Sequence, residues 1–138
     1  MADVTEQGLV AYIAPSDARA AAEFYKLAFG ATEAMPPMLA DDGKRLMHGS
    51  LVVNGCLLYM SDSFPEYGSP WVQPAGFNLH LQVADAQAWW DRAVEAGCTI
   101  SMPLLKQFWG DIYGQLLDPY GISWAIGQAT GESAAFTG

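Results

Sequence analysis

An α+β fold made of two tandem βαβββ modules is what this sequence predicts, on three observations. The chain states nearly the same pattern twice. Tyr12 and His80 stand 68 residues apart, as do Asp17 and Asp85; Met35 and Met102, each followed by proline, are 67 apart; Gly55 and Gly121 are 66 apart. Within each copy, a short extended apolar run precedes an Asp-headed helical stretch, and extended segments separated by turn signals follow it. Finally, 138 residues, 51% of them hydrophobic, suffice for one compact domain with a real core but not for two ordinary independent ones. A repeat this long is not a solenoid unit. Two copies, each too small to bury its own apolar face, are expected to pack about a pseudo-twofold axis and leave a cleft between them, where a ligand would sit. The expected organisation is a single domain over residues 1–138. Module one covers about 8–63, a linker about 64–76, module two about 77–128 and a small, polar tail 129–138.

Gly8 to Ala14 is short and rich in β-formers, and Pro15-Ser16-Asp17 behind it supplies a helix cap. The helix is expected from about Asp17 to Phe29, ending at Gly30, with alanines, Phe24, Leu27 and Phe29 forming the face that lies on a sheet. Pro36-Pro37 rules out a central strand between Ala31 and Ala40, so that segment is read as an irregular edge strand. Asp41-Asp42-Gly43 marks a hairpin turn, and strands follow at about Lys44 to Val53 and Cys56 to Asp62, joined by a tight Asn54-Gly55 turn of type I′. Phe64 to Gly76, with three prolines and two glycines, reads as a linker. The second copy repeats the order. Phe77 to Ala84 is a strand, Asp85 to Ala96 a helix, and Cys98 to Lys106, Asp111 to Leu117 and Ile122 to Gln128 are strands, with a turn at Asp118-Pro119-Tyr120-Gly121.

Composition narrows the function. A net charge of −9 with only six lysines and arginines argues against nucleic acid or an anionic membrane as partner, because counterion release needs a basic patch. Acidity does permit cationic ligands. The Met-Ala-Asp-Val-Thr-Glu start has no basic or apolar signal region, and no apolar run reaches the roughly 18 residues of a membrane span, so a cytoplasmic protein is expected. Cys56 and Cys98 lack Cys-x-x-Cys spacing and stand in apolar contexts, which reads as two buried, reduced thiols. No nucleophile and base arrangement or phosphate-binding glycine loop appears.

The paired modules carry an ordered set of motifs: Ala22-Glu23-Phe24-Tyr25-Lys26-Leu27-Ala28-Phe29-Gly30-Ala31, Met47-His48, Ser61-Asp62-Ser63-Phe64-Pro65-Glu66, Gln107-Phe108-Trp109-Gly110-Asp111 and Asp118-Pro119-Tyr120-Gly121. Over roughly residues 8 to 128 this set resembles the PhnB-like branch of the vicinal oxygen chelate superfamily, which also holds glyoxalase I, extradiol dioxygenases and bleomycin resistance proteins. The resemblance implies modules that curl into incomplete barrels, a glyoxalase-like cleft between them, and a homodimer. It also implies that metal-dependent relatives take His, Gln and Glu ligands from the first and last strand of each module. Carried over residue by residue, the first-strand positions fall near Val10 and Asn78, with Tyr12 and His80 two residues on and on the same strand face. The Glu expected in each last strand is Tyr59 in module one and Ala125 in module two. Neither replaces a carboxylate, and a divalent catalytic site needs about three protein ligands. His80, with His48 as a second, is the metal-ligand candidate that remains.

Tyr12, His48, Tyr59, His80, Gln107, Trp109 and Trp124 are therefore the candidate ligand-binding residues, their rings suited to flat or cationic compounds by stacking and cation–π contact. Asp62, Glu66 and Asp111 are candidate rim charges. Two readings follow. One is a metal-independent small-molecule binding protein of the bleomycin-resistance kind, with no cofactor, holding an amphipathic or cationic aromatic compound. The other is a metal-dependent lyase, isomerase or thiol transferase of the glyoxalase type, with a divalent metal on His80 and His48.

Overall fold

A computed structural model describes residues 6–132, so the end of the expected tail, from 133, lies outside the described residues. The chain divides into two compact units between Pro74 and Ala75. Each is an α+β module of the expected βαβββ order.

In unit 1, β1 (Ala11–Ile13) leads into α1 (Ala18–Phe29), followed by β2 (Thr32–Leu39), β3 (Leu46–Val53), β4 (Cys56–Met60) and a 3₁₀ turn at Pro65–Tyr67. The sheet runs β1-β4-β3-β2, with β1 parallel to β4 and the other pairs antiparallel. Parallel neighbours need a crossover between them, and α1 opens that connection. Its first turn is tied twice. Asp17 accepts from the Ala20 N–H at 3.1 Å as N-cap, and Asp62, buried beyond β4, accepts from the N–H groups of Ala18 (2.7 Å) and Leu46 (2.6 Å). One carboxylate thus joins the helix start to β3. Phe24, Tyr25, Ala28 and Phe29 lie on the buried side of α1, and Ile13, Leu46, Leu51, Val53, Leu58 and Met60 are among the buried residues of the strands. Asn54 (φ 48°) and Gly55 (φ 79°) take the left-handed conformations that the β3–β4 turn demands.

Unit 2 repeats the plan with β5 (Leu79–Gln82), α2 (Ala86–Ala96), β6 (Thr99–Lys106), β7 (Ile112–Leu117) and β8 (Ser123–Gln128), in the order β5-β8-β7-β6. Asp85 caps α2 through the Ala88 N–H at 3.1 Å, and Gln128 takes the place that Asp62 has in unit 1, accepting from the Ala86 N–H at 2.8 Å. Trp90 lies over Gly114 so closely that a Cβ there would stand 2.7 Å from the indole and 2.9 Å from the Leu104 Cα.

The duplication extends to register. One row of cross-strand partners in unit 1 is Tyr12, Tyr59, Ser50 and Met35; its counterpart in unit 2 is His80, Ala125, Gln115 and Met102. The edge strands β2 and β6 each lose register beside those methionines, where the prolines follow. A proline cannot donate to the ladder, so the strand bulges.

Several expectations are corrected. Cys56 is exposed, because the turn leaves the start of β4 at the surface, whereas Cys98 is buried. Asp62 is not a rim charge but the buried brace just described. Glu66 pairs with Arg45 through two bonds of 2.9 and 2.5 Å. Arg45 also bonds Asp42 at 2.7 Å and lies 4.5 Å from the Phe64 ring, so the expected linker begins as a segment tied to unit 1. Trp71 extends the tie, its indole donating to the Ala14 carbonyl at 3.0 Å.

Candidate functional site

Strand alternation decides which side chains a ligand can meet. Leu58 and Met60 are buried, so Tyr59 between them points to the other face, and its cross-strand partner Tyr12 points with it. In unit 2 the same rule separates Gly114 and Ile126, on the side of Trp90, from Tyr113, Gly127 and His80.

The open face of unit 1 gathers Tyr12, His48 and Tyr59. Ring centroids lie 5.7 Å apart for Tyr12 and His48, 6.0 Å for Tyr12 and Tyr59, and 5.1 Å for His48 and Tyr59, all tilted or edge-on. The Tyr12 hydroxyl is 3.3 Å from His48 Nδ1, a long contact in which the tautomer decides the donor. Tyr12 is 55% exposed, so this cluster presents a phenol face to solvent.

Unit 2 gathers His80, Tyr113, Trp109 and Phe108. His80 stacks on Tyr113 at 5.7 Å and 15°, Trp109 meets Tyr113 edge-on at 5.8 Å, and Phe108 meets Trp109 at 4.9 Å. His80 Nε2–H donates to Gln82 Oε1 at 2.7 Å, and the missing side chain of Gly127 makes room, since a Cβ there would come within 2.9 Å of both groups. Gln115 Nε2 donates to the Tyr113 hydroxyl at 2.9 Å. The Gln107 amide nitrogen donates to the carbonyls of Leu105 (3.2 Å) and Tyr113 (3.1 Å), bracing the turn that carries Trp109. Trp124 is a correction. It is 2% exposed, on the buried side of β8, and its indole donates to Asp118 Oδ2 at 2.9 Å. Asp118 also holds the N–H groups of Tyr120 and Ile122, so this turn is a structural hub.

The structure thus brings Tyr12, His48 and Tyr59 together in one unit, and His80 and Trp109 in the other, ties the Gln107 amide nitrogen to the turn beside them, and buries Trp124. Sequence reasoning missed Tyr113, Gln82 and Gln115. Tyr113 holds in β7 the position that His48 holds in β3, two residues before the row of Gln115 and Ser50, so the internal repeat could have found it. The phenol–imidazole pair occurs in both units with the strands exchanged: Tyr12 and His80 are equivalent, as are His48 and Tyr113.

The donors present do not fit a divalent cation. Among the described residues no three His, Cys, Asp or Glu side chains converge. His80 has an amide and a phenol ring as neighbours, and His48 two phenols, which lack the carboxylate that a hard or borderline cation prefers.

The sequence matches the family model of the Glyoxalase/Bleomycin resistance protein/Dioxygenase superfamily over residues 8–126. A Mycobacterium bovis protein, Mb0911c, is 36% identical over 138 residues, covering 96% of this chain and 90% of its own length. Among solved structures, protein PA1353 from Pseudomonas aeruginosa superposes with a TM-score of 0.72 at 28% identity, over 90% of this chain and 98% of its own. A Bacillus cereus structure described as a putative 3-demethylubiquinone-9 3-methyltransferase, PhnB protein, shares the fold with a TM-score of 0.70 at 20% identity, over 89% and 100% of the two chains.

Proposed function

Because this chain belongs to the glyoxalase/bleomycin resistance protein/dioxygenase superfamily, we propose that it binds a small molecule, without a metal ion, by laying a planar amphipathic compound, cationic ones included, against aromatic side chains. The observation that carries this reading is the pair of ring clusters, Tyr12 with His48 and Tyr59, and His80 with Tyr113 and Trp109. The tilted and edge-on rings of unit 1, and Trp109 edge-on to Tyr113 in unit 2, leave π faces free, and a flat cation on such a face gains both area burial and quadrupole attraction. The acidic charge of −9 favours a cation over an anion at long range. Neutral amides at Gln82 and Gln115 hold the unit 2 rings without adding charge.

Titration with 9-aminoacridine, followed by tryptophan fluorescence, tests the reading. Quenching that saturates at micromolar dye is expected, unchanged after chelator treatment. Tyr12→Ala and Trp109→Ala should each weaken it roughly tenfold, the scale of one stacking contact. No saturable quenching in the parent protein would overturn the proposal, and binding abolished by chelator would overturn its metal-free part.

Cytoplasmic residence and independence from nucleic acid and membranes belong to the same proposal; among the described residues no helix is long and apolar enough to cross a membrane. A second copy of the chain is the partner proposed. Exposed apolar side chains along edge strands β2 (Met35, Met38, Leu39) and β6 (Ile100, Met102, Leu105) support it, since open sheet edges are usually covered. Light scattering at micromolar concentration should give twice the chain mass, and a monomer would refute it.

A further inference from the structure

Ser50 is 3% exposed, and its buried hydroxyl has no hydrogen-bond partner among the described residues. Buried polar groups are almost always paired, because an unpaired one opposes folding. The position is not a random one. Ser50 sits directly across from Tyr59 in the β3–β4 register and two residues from His48, within the strand that carries the unit 1 ring cluster. Its counterpart in unit 2 is Gln115, a longer side chain whose amide is already engaged with the Tyr113 hydroxyl. One unit therefore fills and pairs this position from its own residues, while the other places there the shortest hydroxyl available and leaves it unpaired. As the cross-strand partner of Tyr59, Ser50 turns its side chain to the face of the rings and away from that of Leu51 and Met60.

We infer that Ser50 is the specificity-determining polar contact of the unit 1 site, reserved for an amino or hydroxyl substituent on a planar ligand. The inference rests on the binding function proposed above and narrows it: bare aromatic cations bind by their rings alone, and substituted ones gain a hydrogen bond that no side chain among the described residues supplies to Ser50.

Two dyes of equal charge and similar shape separate the contributions, 9-aminoacridine with an exocyclic amine and N-methylacridinium without one. The parent protein should prefer 9-aminoacridine. Ser50→Ala should weaken 9-aminoacridine by about five- to tenfold, leave N-methylacridinium unchanged, and raise the melting temperature of the ligand-free protein, since it removes a buried unpaired hydroxyl. A structural role would show the opposite sign, a lower melting temperature with both dyes affected alike. Survival of the preference in Ser50→Ala, or a fall in melting temperature, overturns the assignment. Failure of both dyes to bind the parent protein overturns the binding function and this assignment with it, whereas ring-dependent binding that ignores Ser50 overturns this assignment alone.

Discussion

Trp124 and Cys98 show how far a residue's surroundings decide what it does. An indole in a strand is equally suited to a core or to a ligand, and the Asp118 carboxylate settles the matter by taking its N–H at 2.9 Å. The same carboxylate acts on Cys98, where burial first and the nearby negative charge second push the thiol up to about 12. A thiol that high is protonated at neutral pH and inert as a nucleophile. Cys56, exposed at the start of β4, has no such burial. A stoichiometric count with a thiol reagent in native buffer should therefore find one reactive cysteine, and Cys56→Ser should reduce it to none; two fast-reacting thiols in the parent protein would refute the assignment. The sequence could not distinguish the two cysteines, since both stand in apolar contexts and their difference arises only when the β3–β4 turn projects one of them outward. His80, by contrast, was legible as a ring-face residue from alternation alone, because a strand's period of two survives the tertiary fold.

At the scale of elements, caps and turns were the clearest signals. Asp17, Asp85, Gly30 and Asn54-Gly55 all behave as their chemistry demands. The stretch from Phe64 was legible only as proline- and glycine-rich, since the contact that orders it is made by Arg45, about 20 residues earlier in the chain. Asp42 is held at about 2 by the Arg45 backbone N–H first, then by the Arg45 guanidinium and the Lys44 N–H, and Glu66 is held at about 2 chiefly by hydrogen bonds from the same guanidinium. Both values lie below the ordinary carboxylate range near 4, so the stabilisation is fully present above that range and is lost as pH falls from about 4 to about 2. The groups are solvent-exposed and screened, so the effect should be visible at low salt and weaken as salt is added. Melting temperature should drop less steeply from pH 4 to pH 2 in Arg45→Gln than in the parent protein. Parallel slopes would show that these pairs contribute nothing.

For the whole molecule, the internal repeat carried the prediction of fold, because an offset of 66 to 68 residues aligns every strand of one unit with a strand of the other. It carried the site less well. Metal-ligand positions inherited from a resemblance directed attention to His, Gln and Glu, whereas the clusters that formed are made of rings, and Tyr113 was passed over although the repeat pairs it with His48. The exchange of partners between units has a consequence of its own. Along unit 1 a phenol stands on the first strand and an imidazole on the third; along unit 2 the order is reversed. Each ring face thus has a phenol end and an imidazole end, and the two units assign those ends to opposite strands. Duplicating the backbone has therefore not duplicated the order of side-chain chemistry along it.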